Sequence, residues 1–232
     1  MTHIEALRPF HGDRLRLARF LSSMSLDELG EAVAASRQYI HQLETEAKEP
    51  SQEMGAALAA ALRVRPGFFE IAPGNQVRED DCHFRRLLTA PRSAISQAVA
   101  RGTVAEVIVA SLAKRVRLPA VDFPDVGRPD DMDGVEAAAE RGRAHWRLGL
   151  DAPITNMTRV VENAGAVVVH FADISEKVEA LSIARRRPII VRASAKKAAV
   201  RLRFDLAHEC GHLLMHQGVT TGDRDTEVRI PT

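Results

Sequence analysis

The residues best suited to chemistry lie near the end of the sequence, where His208, Glu209 and His212 form one copy of the pattern H-E-x-x-H within Phe204 to His216. A helix advances about 100° per residue, so side chains four positions apart stand one above the other with an offset of about 40°. Two imidazoles so placed can share one ion. Zn2+ accepts neutral imidazole nitrogen and, in catalytic sites, keeps three protein ligands and one water. His208 and His212 are therefore candidate metal ligands. Glu209 stands beside the first of them and is the candidate general base. An ion of this kind lowers the pKa of its water toward neutrality, and a carboxylate within hydrogen-bond reach takes the proton as hydroxide attacks a carbonyl.

The elements that must position these residues can be read around them. Phe204, Leu206, Ala207, Leu213, Leu214 and Met215 suit a buried helix, in which an ionisable group needs a reason to be present. Lys196 to Arg203 is rich in helix formers, so one helix is expected from about Lys196 to Gln217, stopped by Gly218. His216 would be carried round by a further 40° or so and is read as a supporting or structural ring. Upstream the period changes to that of strands. Stretches 166–171, 178–183 and 188–191 are β-branched and bounded by Gly165, Asp173 and Pro188, which predicts a small sheet ahead of the metal helix. Helices are expected at Ala94 to Val116, Gly134 to Leu150 and Ile154 to Asn163, with an exposed connection from Asp122 to Asp133. His145 beside Trp146 reads as a packed pair, and His170 as a structural histidine.

Composition narrows the classes. With 232 residues the chain has room for one or two domains, and 32 basic against 31 acidic residues, a net charge of +1, favours no class of partner. The sequence shows no apolar run near the roughly 20 residues of a membrane span and no signal-peptide core, so a soluble, cytoplasmic protein without a membrane partner is expected. Two cysteines, Cys82 and Cys210, exclude a disulfide framework. Cys210 reads as a small buried hydrophobe. Aromatics at 4% leave few platforms for stacking single-stranded bases. No glycine loop for phosphate stands out.

From about His11 to Glu70 the sequence reads as four short helices. Ser25 and Ser36 are suited to cap the second and third, and Ile40 and Leu43 anchor the third. Two short helices joined by a tight turn can lay the second in a major groove. Arg14-Leu15-Arg16, Ser25 to Leu29, Ser36 to Glu44, Pro50-Ser51 and Leu62 to Phe69 together resemble XRE-type helix-turn-helix domains. The resemblance implies that Ser36, Arg37, Gln38, Tyr39, His41 and Gln42 meet double-stranded operator DNA, with Gln suited to adenine, Arg to guanine and Ser36 to phosphate. Ala34 and Glu46 stand where the family has glycine, at turn positions of positive φ. Glu44, Glu46 and Glu49 lie near the presumed reading helix, so binding should be weak and salt-sensitive. A protein-interaction or dimerisation module is the other reading of this unit.

The sheet, the lead-in Arg201 to Ala207 and the motif H-E-x-G-H-L-L-x-H make the second half resemble the ImmA/IrrE family of metallopeptidases, whose members often carry an XRE-type domain first. The resemblance implies a third metal ligand, Glu227; in this sequence His216 is the fallback ligand, with Asp223 and Asp225 as further substitutes. After Glu227 the sequence departs from the family pattern, since Val228 to Thr232 replaces the expected helix, which weakens the expected hold of Glu227. The fold class expected is α+β: an all-α helix-turn-helix domain over 1–72, a linker over 73–81, and over 82–232 a mostly helical zincin-like domain with a small sheet packed on the metal helix. The implied function is that of a DNA-binding regulatory zinc metalloprotease acting on a protein, such as an XRE-type repressor, with a homodimer among its implied states. The alternative is a transcriptional regulator whose peptidase-like half is catalytically inactive and serves as sensor or interaction domain.

Overall fold

In a computed structural model of the protein, which describes residues 9–72, 74, 76–86, 90–171, 178–193 and 199–215, serine hydroxyls open three of the first four helices. These are α1 (Gly12–Leu21), α2 (Leu26–Ala32), α3 (Arg37–Glu44) and α4 (Gln52–Ala61). Ser25, Ser36 and Ser51 each accept the backbone N–H three residues on, and Ser25 completes a capping box with Glu28. The N–H groups that a helix start leaves unpaired are so satisfied. Leu15, Leu29, Ile40, Leu43 and Leu58 fill the centre. The start of α1 abuts the end of α3 so closely that a Cβ at Gly12 would stand 2.6 Å from the Glu44 carbonyl oxygen, which excludes any larger residue.

Glu44 corrects one expectation. Its carboxylate, only 4% exposed, accepts from Arg19 Nε at 2.6 Å and Nη2 at 3.0 Å. Glu46 Oε1 accepts the Gly12 N–H at 3.0 Å. Glu44 is thus neutralised inside its own fold, so it presents less charge to an approaching polyanion than the sequence count suggests, while Glu46 remains exposed.

The chain divides into two compact units, one ending at Gln76 and the other beginning at Val77. The second is α+β. It contains β1 (Cys82–Arg86), α5 (Arg92–Ala113), α6 (Met132–His145), α7 (Met157–Asn163), β2 (Val167–Phe171), β3 (Val178–Ile183), β4 (Ile189–Ala193) and α8 (Ala199–Met215). The sheet order is β1-β3-β4-β2, with β2 and β4 parallel and the other two pairs antiparallel. Strand β1 is not foreseen from the sequence: Cys-His-Phe-Arg-Arg has no β-branched residue, and edge pairing with β3 makes it a strand. Helix α6 stops at His145, short of Leu150, because Arg147 (φ 55°) and Gly149 (φ 71°) take the left-handed conformation. Asn156 caps α7 by accepting the Arg159 N–H, which moves its start past Ile154. The outer ends of the expected Lys196 to Gln217 helix lie outside the described residues.

Alternation along the strands gives the sheet two unlike faces. Leu181, Ile183, Ile189 and Val191 form an apolar layer with α5. Small residues let α5 lie close: a Cβ at Gly102 would stand 2.6 Å from Ile183 Cδ1. By length and composition alone α5, 22 residues long, meets the requirement of a membrane span. That corrects the expectation that no stretch does; Arg101 and Glu106 break the run in the sequence. The opposite face packs Ile190 with Val161 of α7 and Leu206, Cys210 and Leu213 of α8.

Ala34 and Glu46, at the two expected turn positions, hold φ of 53° and 58°. An L side chain there costs about 1–2 kcal/mol, while glycine adds about 0.5–1 kcal/mol of chain entropy to the unfolded state. Ala34→Gly should therefore raise unfolding stability by about 0.5–1 kcal/mol, read by urea denaturation of the intact protein followed by circular dichroism; a loss of stability contradicts the strain.

Candidate metal centre

On α8 the buried arc is set by Asp205, Leu206, Glu209, Cys210, Leu213 and Leu214. At about 100° per residue, His208 and His212 fall at the border of that arc and Glu209 inside it. The burial follows this order: Glu209 is 0% exposed, His212 partly buried and His208 exposed. Phe204, expected in the core, lies on the histidine side of the helix and is 59% exposed. The lead-in is thus amphipathic rather than buried all round.

His208 Nε2 and His212 Nε2 stand 3.1 Å apart, their rings at 88° with centroids separated by 4.6 Å. At that spacing there is room for one proton between two lone pairs, or for a cation that accepts both. Two nitrogens held about 2.0–2.1 Å from a tetrahedral Zn2+ are themselves about 3.3 Å apart. The donor type and spacing fit a zinc ion. Among the described residues no group of three His, Cys, Asp or Glu side chains is assembled that could hold a metal. Glu227, His216, Asp223 and Asp225 lie outside the described residues.

Two buried groups beneath α8 escape sequence reasoning. His83 of β1 is 3% exposed, and its ring is stacked on that of His212 at 5.3 Å and 3°. It faces Ser182 across the β1–β3 ladder, so the sheet presents it to α8. The only signal available was its alternation with Cys82, which points to the other face. Arg192 of β4 is 4% exposed and donates to the Leu202 carbonyl of α8. Burial pulls its guanidinium below the ordinary arginine range, and the charges of Asp205 and Glu209 oppose that pull. Asp205, 1% exposed, also meets Arg201 Nε at 3.4 Å. The charged groups under α8 are therefore mutually compensated, as burial requires.

The remaining candidates fall into place by environment. Burial pushes the Cys210 thiol up to about 12, which leaves it a neutral packing group, as expected. His145 Nε2 lies 2.7 Å from Asp122 Oδ1 and Trp146 Nε1 donates to the Asp122 carbonyl at 2.9 Å, so the pair is a structural clasp. In the first unit Ser36, Arg37, Gln38 and His41 are exposed along α3. Tyr39 and Gln42 are half-buried, and Tyr39 packs against the core. Arg37 Nη1 is tied to Asp27 Oδ2 at 3.1 Å, both side chains well exposed.

A family model described as an IrrE N-terminal-like domain, Peptidase_M78, matches residues 162–229. The matched segment is similar to a metallopeptidase-like domain and takes in β2, β3, β4, α8 and position 227, but not β1. No curated protein matches the chain.

If His212 takes zinc, the His83 ring stacked on it restricts its plane, and His83→Ala should then weaken zinc binding about tenfold or more, as loss of groups that orient ligands does. His83→Phe, which keeps a flat ring against His212, should restore most of the affinity. Competition titration against a zinc chelator measures both; equal affinity in the wild type and the alanine variant contradicts this role.

Proposed function

We propose that the protein is a zinc-dependent metalloendopeptidase joined to a DNA-binding helix-turn-helix domain. One observation carries the first half of the reading: two imidazole nitrogens 3.1 Å apart beside a fully buried glutamate, within a segment similar to the IrrE N-terminal-like domain. His208 and His212 would hold the ion, with Glu227 as the third donor.

When bound, zinc supplies a Lewis acid that polarises a peptide carbonyl and acidifies water. The chain's own residues do the rest. Glu209, one position along α8 from His208, is withdrawn from bulk solvent. Arg192 offsets its charge from below. Glu209 takes a proton from the attacking water and delivers it to the amine that leaves. His83 and the sheet hold His212 in register. The substrate class that fits is a protein, and the best candidate is a repressor with an XRE-type fold like that of the first unit.

For the first unit, the exposed row of Ser36, Arg37, Gln38 and His41 on α3 supports a major-groove reader. Glu44, bound to Arg19, does not stand against the phosphates. Arg37 would exchange Asp27 for a base edge or a phosphate.

Incubation of the zinc-loaded protein with purified XRE-type repressors tests the enzymatic half. The wild type should cut one of them, and Glu209→Gln should retain zinc but lose about 10²–10⁴-fold in rate, the usual contribution of a general base. Undiminished cleavage by the glutamine variant contradicts the role of Glu209. Zinc binding without any cleavage favours the other reading, a regulator with an inactive peptidase-like half.

Titration with a DNA fragment selected from a random library tests the first unit. Arg37→Ala and Gln38→Ala should each cost about 1–3 kcal/mol at the cognate site, and affinity should fall steeply with salt. Affinity unaffected by either substitution removes α3 as the reading helix.

A further inference from the structure

Beneath the first two turns of α8 lies a cavity of about 450 Å3, walled by the segment entering α7, by β2 and β4, and by α8 itself. Its polar lining is Thr155, Asn156, Thr158, His170, Arg192 and Arg203, and no Asp or Glu lines it among the described residues. Two guanidinium groups line it: Arg192, whose charge Asp205 and Glu209 offset from the helix side, and Arg203, which donates to the Ile154 carbonyl. With no carboxylate on the cavity side among the described residues, the lining favours an anion over a cation.

Arg192 is the innermost of these groups, at 4% exposure. A guanidinium carries five N–H donors, and the Nη2 of Arg192 goes to the Leu202 carbonyl. Asp205 and Glu209 offset part of its charge from the helix side. The rest of the polar lining is hydroxyl, amide and imidazole, groups that can coordinate an anion but cannot neutralise a cation. His170 faces Arg192 across the β2–β4 ladder. Its imidazolium is disfavoured, first by burial and then by Arg192, with Glu162 acting the other way. Met157, Leu202 and Leu206 supply apolar wall. The volume lies within the range of small-ligand sites, about 300–1,000 Å3.

We propose that this cavity binds a small organic oxyanion, a carboxylate or a phosphate monoester, with its charged group between Arg192 and Arg203 and its carbon body against Met157, Leu202 and Leu206. The site differs from the imidazole pair: its lining on α8 runs from Ala199 to Leu206 and includes neither His208 nor His212. It does not depend on the peptidase reading.

The test follows the His170 ring proton by NMR in the intact protein during titration with inorganic phosphate and, separately, with succinate. Sodium chloride at matched ionic strength is the control. At least one anion should give a saturable shift and move the His170 titration upward, since a neighbouring anion favours the imidazolium. Whichever anion does so identifies the headgroup chemistry. Arg192→Met should weaken that binding by about tenfold or more. Because Arg192 also braces α8, a second variant is needed: Ala199→Trp, at the exposed mouth, should block the cavity while leaving the polar lining intact. No saturable shift with either anion, or affinity unchanged in Ala199→Trp, overturns the proposal.

Discussion

Among the described residues, the polar layer between the sheet and α8 is organised about a buried positive charge, Arg192. Arg192, on the interior strand β4, is a buried cation whose charge favours burial of Asp205 and Glu209 on the inner side of α8, with Arg201 also meeting Asp205. An unpaired carboxylate in that position would cost several kcal/mol or take up a proton. With Arg192 beneath it, α8 can bury Glu209 and still carry two imidazoles at the border of the buried arc. The same guanidinium grips the helix backbone at Leu202, so the charge that compensates the site also fixes the helix over the sheet.

This arrangement divides labour between the sheet faces. The face toward α5 is apolar, with small helix residues allowing close approach. The face toward α8 carries His83, Ser182 and Arg192 among its buried residues. Strand pairing places each of them: His83 opposite Ser182, and Arg192 between Ala180 and His170. A slip of one residue in any of these ladders would turn the polar group toward α5 and an aliphatic one toward the imidazoles. The register is thus part of the chemistry.

Local signals in the sequence carried much of the fold. Ser25 and Ser36 cap as their types suggest, three β-branched stretches pair in the sheet, and the helical spacing of His208 and His212 brings their nitrogens together. What escaped was set by tertiary contact. Strand β1 has no propensity of its own, so His83 gave no sign of its stack on His212. Arg192 lies one residue past the stretch read as a strand over 188–191, and only its pairing in β4 and the packing of α8 reveal it as a buried counter-charge. Glu44 counted as a surface acid because its partners Arg16 and Arg19 lie 28 and 25 residues away along the chain. Helix α6 overran its true end because the stop at Arg147 is made by a left-handed residue other than glycine.

In the function proposed above, His208 and His212 together bind one zinc ion. X-ray absorption at the zinc edge of the intact, zinc-loaded protein tests it most directly, with His208→Ala and His212→Ala alongside. The account predicts nitrogen scatterers at about 2.0–2.1 Å in the wild type and loss of that signal in each variant. A spectrum dominated by sulfur, or one unchanged when either histidine is replaced, would contradict it.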